Sequence, residues 1–199
     1  MKVLYYTNKD VKDRFVIPSI IESTGDIATI TFSKPTLDFI LSDSIEFIVC
    51  DRARSLLTPD ILSHLKNRAV NIHPSFLPWN KGYHPNYWSF RNGTPKGVTI
   101  HYIDETIDTG HIIAQTRVSY LPTDTLKTSY ERLRRLSIAL FSTLWPMIRT
   151  GQTLGIPQPD SMEGARTHYK AESEVELMGL SAGWDTDVGA LTNGRKETW

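Results

Sequence analysis

The chain has 199 residues, 40% apolar and 22% charged, with 22 basic side chains against 22 acidic ones. That length buries a hydrophobic core without disulfide or metal staples, and a formal charge of zero excludes the global basic field that would hold nucleic acid or an anionic membrane. No apolar run approaches the roughly 20 residues of a membrane span, and residues 1–6 are too short for a signal sequence, so a cytoplasmic protein is expected.

Residues 2–6, 27–32, 46–50 and 69–72 are β-branched, aromatic or otherwise apolar runs, and they predict strands covered on both faces. Residues 11–21, 35–41 and 59–65 lie between them and predict helices, the first weakened by Pro18 and the third capped by Thr58 ahead of Pro59. The only cysteine, Cys50, sits in an apolar run, which leaves no internal disulfide and no zinc site with two or more thiolates. Strand, helix, strand in this rhythm predicts an α/β domain with a Rossmann-like, mostly parallel sheet and flanking helices over residues 1–150. Ligands of such sheets bind beyond the carboxyl ends of the strands. The loops 51–57 and 73–84 leave two of those ends.

From Gly97 the apolar residues alternate, and two further strands are expected, near 97–103 and 111–119, joined by the polar segment 104–110. A long helix follows Pro122 with Thr123, Asp124 or Thr125 as cap. Leu126, Tyr130, Leu133, Leu136, Leu140, Leu144 and Ile148 recur at spacings of three and four along it, so one face packs on the sheet. Pro146 should end or kink that helix. Residues 151–199 are rich in Gly, Pro, Ser, Thr and charge without a sustained period, and they predict an irregular C-terminal extension of loops and short strands.

The segment Asn71-Ile72-His73-Pro74-Ser75-Phe76-Leu77-Pro78 carries the chemistry, together with Asp108-Thr109-Gly110 further on. Asn71 and His73 are two residues apart at a strand end and therefore point to the same side of the pleat. Pro74 stops the strand there. An Asn can donate to a carbonyl oxygen that becomes negative, and an Asp can set the orientation and charge of a His. That His can take a proton from an attacking amine, donate as a cation or act through a water held by the Asp; the sequence leaves these three roles open. With no Ser or Cys nucleophile among them, these groups suit direct acyl transfer to an amine. Taken alone, Asp108 beside Gly110 reads as a turn residue, His101 and His111 as supporting or surface residues, and His64 as a solvated helix residue. Trp79 and Trp88 read as core, and Cys50 as an inert buried thiol.

Residues 71–78, Gly82, Gly97-Val98-Thr99-Ile100-His101 and Ile107-Asp108-Thr109-Gly110-His111-Ile112-Ile113-Ala114-Gln115 resemble the folate-dependent formyltransferases, which include glycinamide ribonucleotide, methionyl-tRNA and nucleotide-sugar enzymes. The resemblance is close over residues 69–116 and looser over the rest of the first 150. It implies the formyltransferase fold and catalytic positions at Asn71, His73 and Asp108. The implied co-substrate is 10-formyltetrahydrofolate, in a pocket walled by the loops at 51–57 and 103–108, with Ser55, Leu57, Ile103, Asp104 and Asp108 as its contacts. No metal is called for.

Within the family, Trp79-Asn80-Lys81-Gly82, His84-Pro85-Asn86 and Trp88-Ser89 resemble the branch acting on nucleotide-linked, usually dTDP-linked, amino sugars. The residues after the first strand, 7–14, contain no glycine, so the backbone phosphate cradle of the purine branch is missing. The roughly 50 residues after the long helix are few for the separate domain of the tRNA branch. Lys81, Tyr83 and Arg14 are the candidate contacts to the nucleotide sugar. The tail segments 164–170 and 180–185 resemble those of short sugar formyltransferases, which implies a contact with the nucleotide or with a second copy in a homodimer. The resemblance thus implies a small-molecule acceptor, no nucleic acid and no membrane, and a place in the synthesis of bacterial surface polysaccharide. The alternatives are a formyltransferase for another small amine, such as glycinamide ribonucleotide, and a folate-binding protein whose catalytic residues are idle.

Overall fold

The computed structural model describes residues 1–192; the end of the predicted extension, 193–199, lies outside the described residues. The elements run β1 (Lys2–Thr7), α1 (Val16–Glu22), β2 (Ile27–Thr31), α2 (Leu37–Ser42), β3 (Phe47–Asp51), α3 (Pro59–Leu65), β4 (Ala69–His73), β5 (Lys81–Gly82), α4 (Pro85–Asn92), β6 (Gly97–Tyr102), β7 (Ile112–Arg117) and α5 (Leu126–Ile148). The extension adds β8 (Thr167–His168), α6 (Lys170–Met178), a 3-10 turn at Gly183–Asp185 and α7 (Val188–Leu191).

Six strands form one sheet in the order β2-β1-β3-β4-β6-β7. The first four are parallel, and β6 and β7 are antiparallel to their neighbours. Period-two alternation sorts the side chains. Val3 and Tyr5 of β1, Phe47 and Val49 of β3, and Val70 and Ile72 of β4 meet Ile17 and Ile21 of α1 and Leu133, Phe141 and Trp145 of α5. Leu4, Tyr6, Ile48 and Cys50 point the other way, onto Ile40 of α2 and Ile61 and Leu65 of α3. Cys50 is buried there, and burial pushes its thiol up, which keeps it unreactive at neutral pH.

Three expectations need correction. The helix predicted over 11–21 begins only at Val16, so that Pro18 falls in its first turn, where proline is tolerated. Pro146 does not end α5 early: the helix runs on to Ile148, and the missing N–H falls only in its last turn. The extension is more than loops and short strands, because α6 and α7 form, and Val188 and Leu191 pack with Tyr87, Trp88 and Phe90 of α4 and Leu126 of α5. Helix α4 has no counterpart in the sequence reading. Pro85 through Phe90 are all buried, so the segment shows no polar face and hence no helical period.

Arg149, the C-cap of α5, grips Asp26 just before β2 with Nε and Nη2, both at 2.6 Å. Burial works against the ionised carboxyl, but the Arg149 fork and the neighbouring donors outweigh it and bring Asp26 down to about 2. A depressed folded-state pKa stabilises the fold above the ordinary carboxylate value and ceases to do so as pH falls through the folded value. Asp26→Asn is expected to lower stability by about 1–3 kcal/mol at neutral pH. Denaturant titrations of both proteins should show that difference shrinking between about pH 4 and about pH 2.

Candidate active site

On β4, Val70 and Ile72 go into the core beneath α5, so Asn71 and His73 are left on the opposite face. Helices α2 and α3 cover β1 and β3 on that face. The polar run of β4 and β6 marks the end of their cover. Antiparallel register sets Asn71 opposite His101 and His73 opposite Thr99, and directly paired residues share a face. Thr99 fixes the loop after β4: its hydroxyl donates to the Ser75 carbonyl and accepts from the Leu77 N–H and from Gln115 Nε2.

Asp108 arrives from the β6–β7 connection in a left-handed conformation, φ 52°. Gly110 follows it because no side chain fits: a Cβ there would stand 1.8 Å from the Tyr102 carbonyl oxygen. The carboxylate accepts two hydrogen bonds and lies beside two imidazoles. Its Oδ1 accepts from Asn71 Nδ2 at 3.0 Å and lies 3.4 Å from His101 Nε2. Its Oδ2 accepts the Gly82 N–H at 2.8 Å and lies 3.4 Å from His73 Nδ1. The structure therefore brings Asn71, His73 and Asp108 together, and it adds His101, which the sequence reading placed outside the catalytic set.

The two imidazoles have different tautomers, each dictated by a carbonyl that can only accept. His73 Nε2 is 3.0 Å from the Asn80 carbonyl oxygen and so carries the proton, leaving Nδ1 free toward Asp108. His101 Nδ1 is 2.7 Å from the Tyr102 carbonyl oxygen and carries the proton there, leaving Nε2 to accept from Asn71 Nδ2 at 3.2 Å. Burial pushes His73 below the ordinary imidazole value, against the pull of the Asp108 charge. Burial would raise Asp108, yet the two histidines in their protonated forms and the Gly82 N–H hold it well below the usual carboxylate range. The site thus offers a neutral base at His73 Nδ1 beside a permanent anion.

The predicted folate contacts lie around this centre in different roles. Ser55 Oγ and the Tyr6 hydroxyl share a 2.6 Å hydrogen bond. The Leu57 side chain is buried in the core with Tyr6 and Cys50, and Ile103 packs against the same cluster, so Leu57 can offer a ligand only its backbone. Asp104 accepts from the Thr106 N–H and the Thr109 hydroxyl, stiffening the loop rather than projecting from it. Of the candidate sugar-nucleotide contacts, Lys81 lies in β5 and Tyr83 donates to the Arg54 carbonyl at 3.1 Å. Arg14 remains within its own loop, over the Phe15 ring and toward the Val11 carbonyl.

The glycine-free loop after β1 is pinned by charge. Asp13 bonds Arg52 and Arg134, and Asp51 at the end of β3 takes the Tyr5 hydroxyl at 2.6 Å and Arg134 Nη1 at 2.8 Å. Asp10 pairs with Arg54 across to the neighbouring loop. Sequence reading missed this network because its partners are up to 121 residues apart. Among the described residues, no group of three His, Cys, Asp or Glu is placed to hold a metal ion.

Comparison with known proteins shows the family. A sequence model of the formyl transferase family matches residues 30–144. The crystal structure of the formyltransferase PseJ from Anoxybacillus kamchatkensis, in complex with UDP-4,6-dideoxy-4-formamido-L-AltNAc and tetrahydrofolate, matches with a TM-score of 0.88 at 40% identity, covering 98% of this chain and 100% of that one. Methionyl-tRNA formyltransferase of Methylacidiphilum infernorum (isolate V4) is 33% identical over 159 residues, 79% of this chain. The trifunctional purine biosynthetic protein adenosine-3 of Chironomus tentans is 31% identical over 137 residues, 68% of this chain. The chain spans 47% of the length of the first of these two relatives and 10% of the second. A family match over more than half of the residues, and a 40% identical relative matched from end to end, show that this chain belongs to the formyl transferase family.

Proposed function

We propose that this protein transfers the formyl group of 10-formyltetrahydrofolate to the amino group of a nucleotide-linked amino sugar. The observation that carries the proposal is the Asp108 carboxylate held between Asn71 at 3.0 Å and His73 at 3.4 Å. The resemblance of the sequence points to a dTDP-linked acceptor. The relative that matches at 40% identity was crystallised with a UDP-linked 4-formamido sugar, and this favours a UDP-linked 4-amino-4,6-dideoxy sugar instead.

In this reading the acceptor amine attacks the formyl carbon. A bond forms between the amine nitrogen and that carbon, and the bond from the carbon to the folate nitrogen breaks. His73 Nδ1 takes the proton that the amine loses and returns it to the departing nitrogen; its Nε2–H stays on the Asn80 carbonyl throughout. Asp108 stabilises the imidazolium formed in between. Asn71 supplies the donor for the oxygen that becomes negative. Both of its amide protons are engaged in the free protein, by Asp108 and by His101, so the formyl oxygen displaces His101 Nε2 as acceptor. The stabilising groups are fixed in place before the charge develops, which is where such donors act most strongly. The loops at 51–57 and 103–108 flank the site and form the proposed folate walls. Lys81, Tyr83 and Arg14 are proposed on the acceptor side.

The test is a panel. The purified protein is incubated with 10-formyltetrahydrofolate and UDP- and dTDP-linked amino sugars, with glycinamide ribonucleotide alongside, while tetrahydrofolate release and formamide formation are followed. Turnover of UDP-4-amino sugars is expected. Turnover of glycinamide ribonucleotide alone, or of nothing, overturns the proposal.

A further inference from the structure

The C-terminal extension reaches the candidate active site at two places, and both lead to Asp108. The first is Gln158. After α5 the chain turns back along the sheet edge, where Ile156 pairs with Ile112 through two backbone hydrogen bonds of 2.8 and 2.9 Å. Gly155 just before it lies against Tyr102 and His111 so closely that a Cβ would stand 2.5 Å from the His111 Cβ. This edge pairing delivers Gln158 Nε2 to the carbonyl oxygens of Asp108 and Gly110, each at 2.9 Å. Both partners are carbonyls, so the amide must present its NH2 group to them. The two bonds bracket the left-handed turn at Asp108, a conformation that a residue other than glycine keeps only where its surroundings hold it.

The second place is β8. Thr167–His168 pairs with Lys81–Gly82, the Lys81 N–H donating to the Arg166 carbonyl and the Tyr83 N–H to the His168 carbonyl. This strand holds the segment that supplies the Gly82 N–H to Asp108 Oδ2 and, one residue before β5, the Asn80 carbonyl to His73 Nε2. Strand β8 is itself anchored: the fully buried His168 ring stacks on Trp88 of α4 at 4.0 Å, with Asn92 Nδ2 at 3.3 Å from its Nε2.

We infer that the C-terminal extension completes the catalytic centre, with Gln158 as a positioning residue that sets the Asp108 carboxylate against His73 from the backbone side while β8 sets it from the carboxylate side. The inference rests on the formyl-transfer reading of this site. It also gives the extension a role apart from the nucleotide or a second copy of the chain: without it Asn71, His73 and Asp108 would all be present, but the turn that aims Asp108 would lose its brace. A displacement of about 1 Å at a reacting group costs on the order of 100-fold in rate.

The test uses the full chain with Gln158→Met, which keeps the length and flexibility of the side chain and removes both donors. Formyl transfer is measured as kcat and KM, and the imidazole of His73 is titrated by NMR without substrates. The expected result is a kcat about 10- to 100-fold lower, KM for both substrates within about twofold, and a His73 midpoint below that of the wild type, because the Asp108 charge that supports its protonation has moved away. An unchanged kcat and an unchanged His73 midpoint overturn the inference. If Gln158→Met does not fold, Gln158→Glu carries the test. Its carboxyl retains a donor only when protonated, so its rate relative to wild type should rise as pH falls, and a constant ratio overturns the inference. If the wild-type protein formylates no acceptor, the formyl-transfer reading fails, and the His73 titration of wild type against Gln158→Met still decides whether Gln158 positions Asp108.

Discussion

Asp108→Asn, His73→Ala and Asn71→Ala are each expected to lower kcat for formyl transfer by about 100- to 1,000-fold, the range observed when one preorganised donor or charge is removed from a site of this kind. Asp108→Asn should be the most revealing of the three. It preserves shape, but it replaces one acceptor oxygen with an NH2 group among the donors of Asn71 and Gly82 and removes the charge facing His73 Nδ1. The sign of the pH dependence follows from the base. His73 must be neutral to take a proton, and burial pushes its pKa below the ordinary value of 6.5, so kcat/KM should rise with pH through a midpoint below that value and level off above it. Asp108 stays ionised over the same range and adds no second limb. In Asp108→Asn the attraction that supports the imidazolium is gone, so the midpoint should move further down while the plateau falls. A pH–rate profile of the two proteins checks both; a midpoint that moves upward would reject His73 as the base.

Gly82→Ala should damage stability and activity together. Gly82 has φ +86°, and a Cβ on it would lie 2.2 Å from the His168 carbonyl oxygen and 3.2 Å from its carbon. These are backbone atoms of β8, so relief requires β5 and β8 to part. Parting them withdraws the Gly82 N–H from Asp108 and shifts the Asn80 carbonyl that fixes His73. The strained conformation and the broken pairing together should cost about 2–4 kcal/mol, which at this chain length lowers Tm by roughly 5–15 °C, and kcat should fall by at least about tenfold. Gly25→Ala is the control. Its φ is similar, +82°, but no atom lies within 4 Å of the added Cβ, so only the conformational cost of about 1 kcal/mol remains and activity should be untouched. Equal effects at the two positions would show that the contact with β8 is unimportant.

The amino-acid sequence by itself determined the parallel half of the sheet and the heart of the site. Runs such as Phe47-Ile48-Val49-Cys50 can only be strands covered on both faces, and the period of α5 requires a helix with one buried stripe. Asn71 and His73 share a face because alternate residues of any strand do. Asp108 was legible only through resemblance, since its local sequence describes a turn. These features are readable because each depends on residues within a few positions of one another.

Tertiary structure decided what depends on distant pairing. The register of β4 against β6 set His101 opposite Asn71, within reach of the Asp108 carboxylate; no local pattern carries a register between strands some 30 residues apart. Helix α4 was silent because burial on all sides removes the polar face that gives a helix its period. Gln158 has no signature of its own, as a lone glutamine in an irregular stretch becomes meaningful only when the pairing of Ile156 with Ile112 brings it to the Asp108 turn. Local sequence supplied the candidate groups, and long-range hydrogen bonding chose where they point.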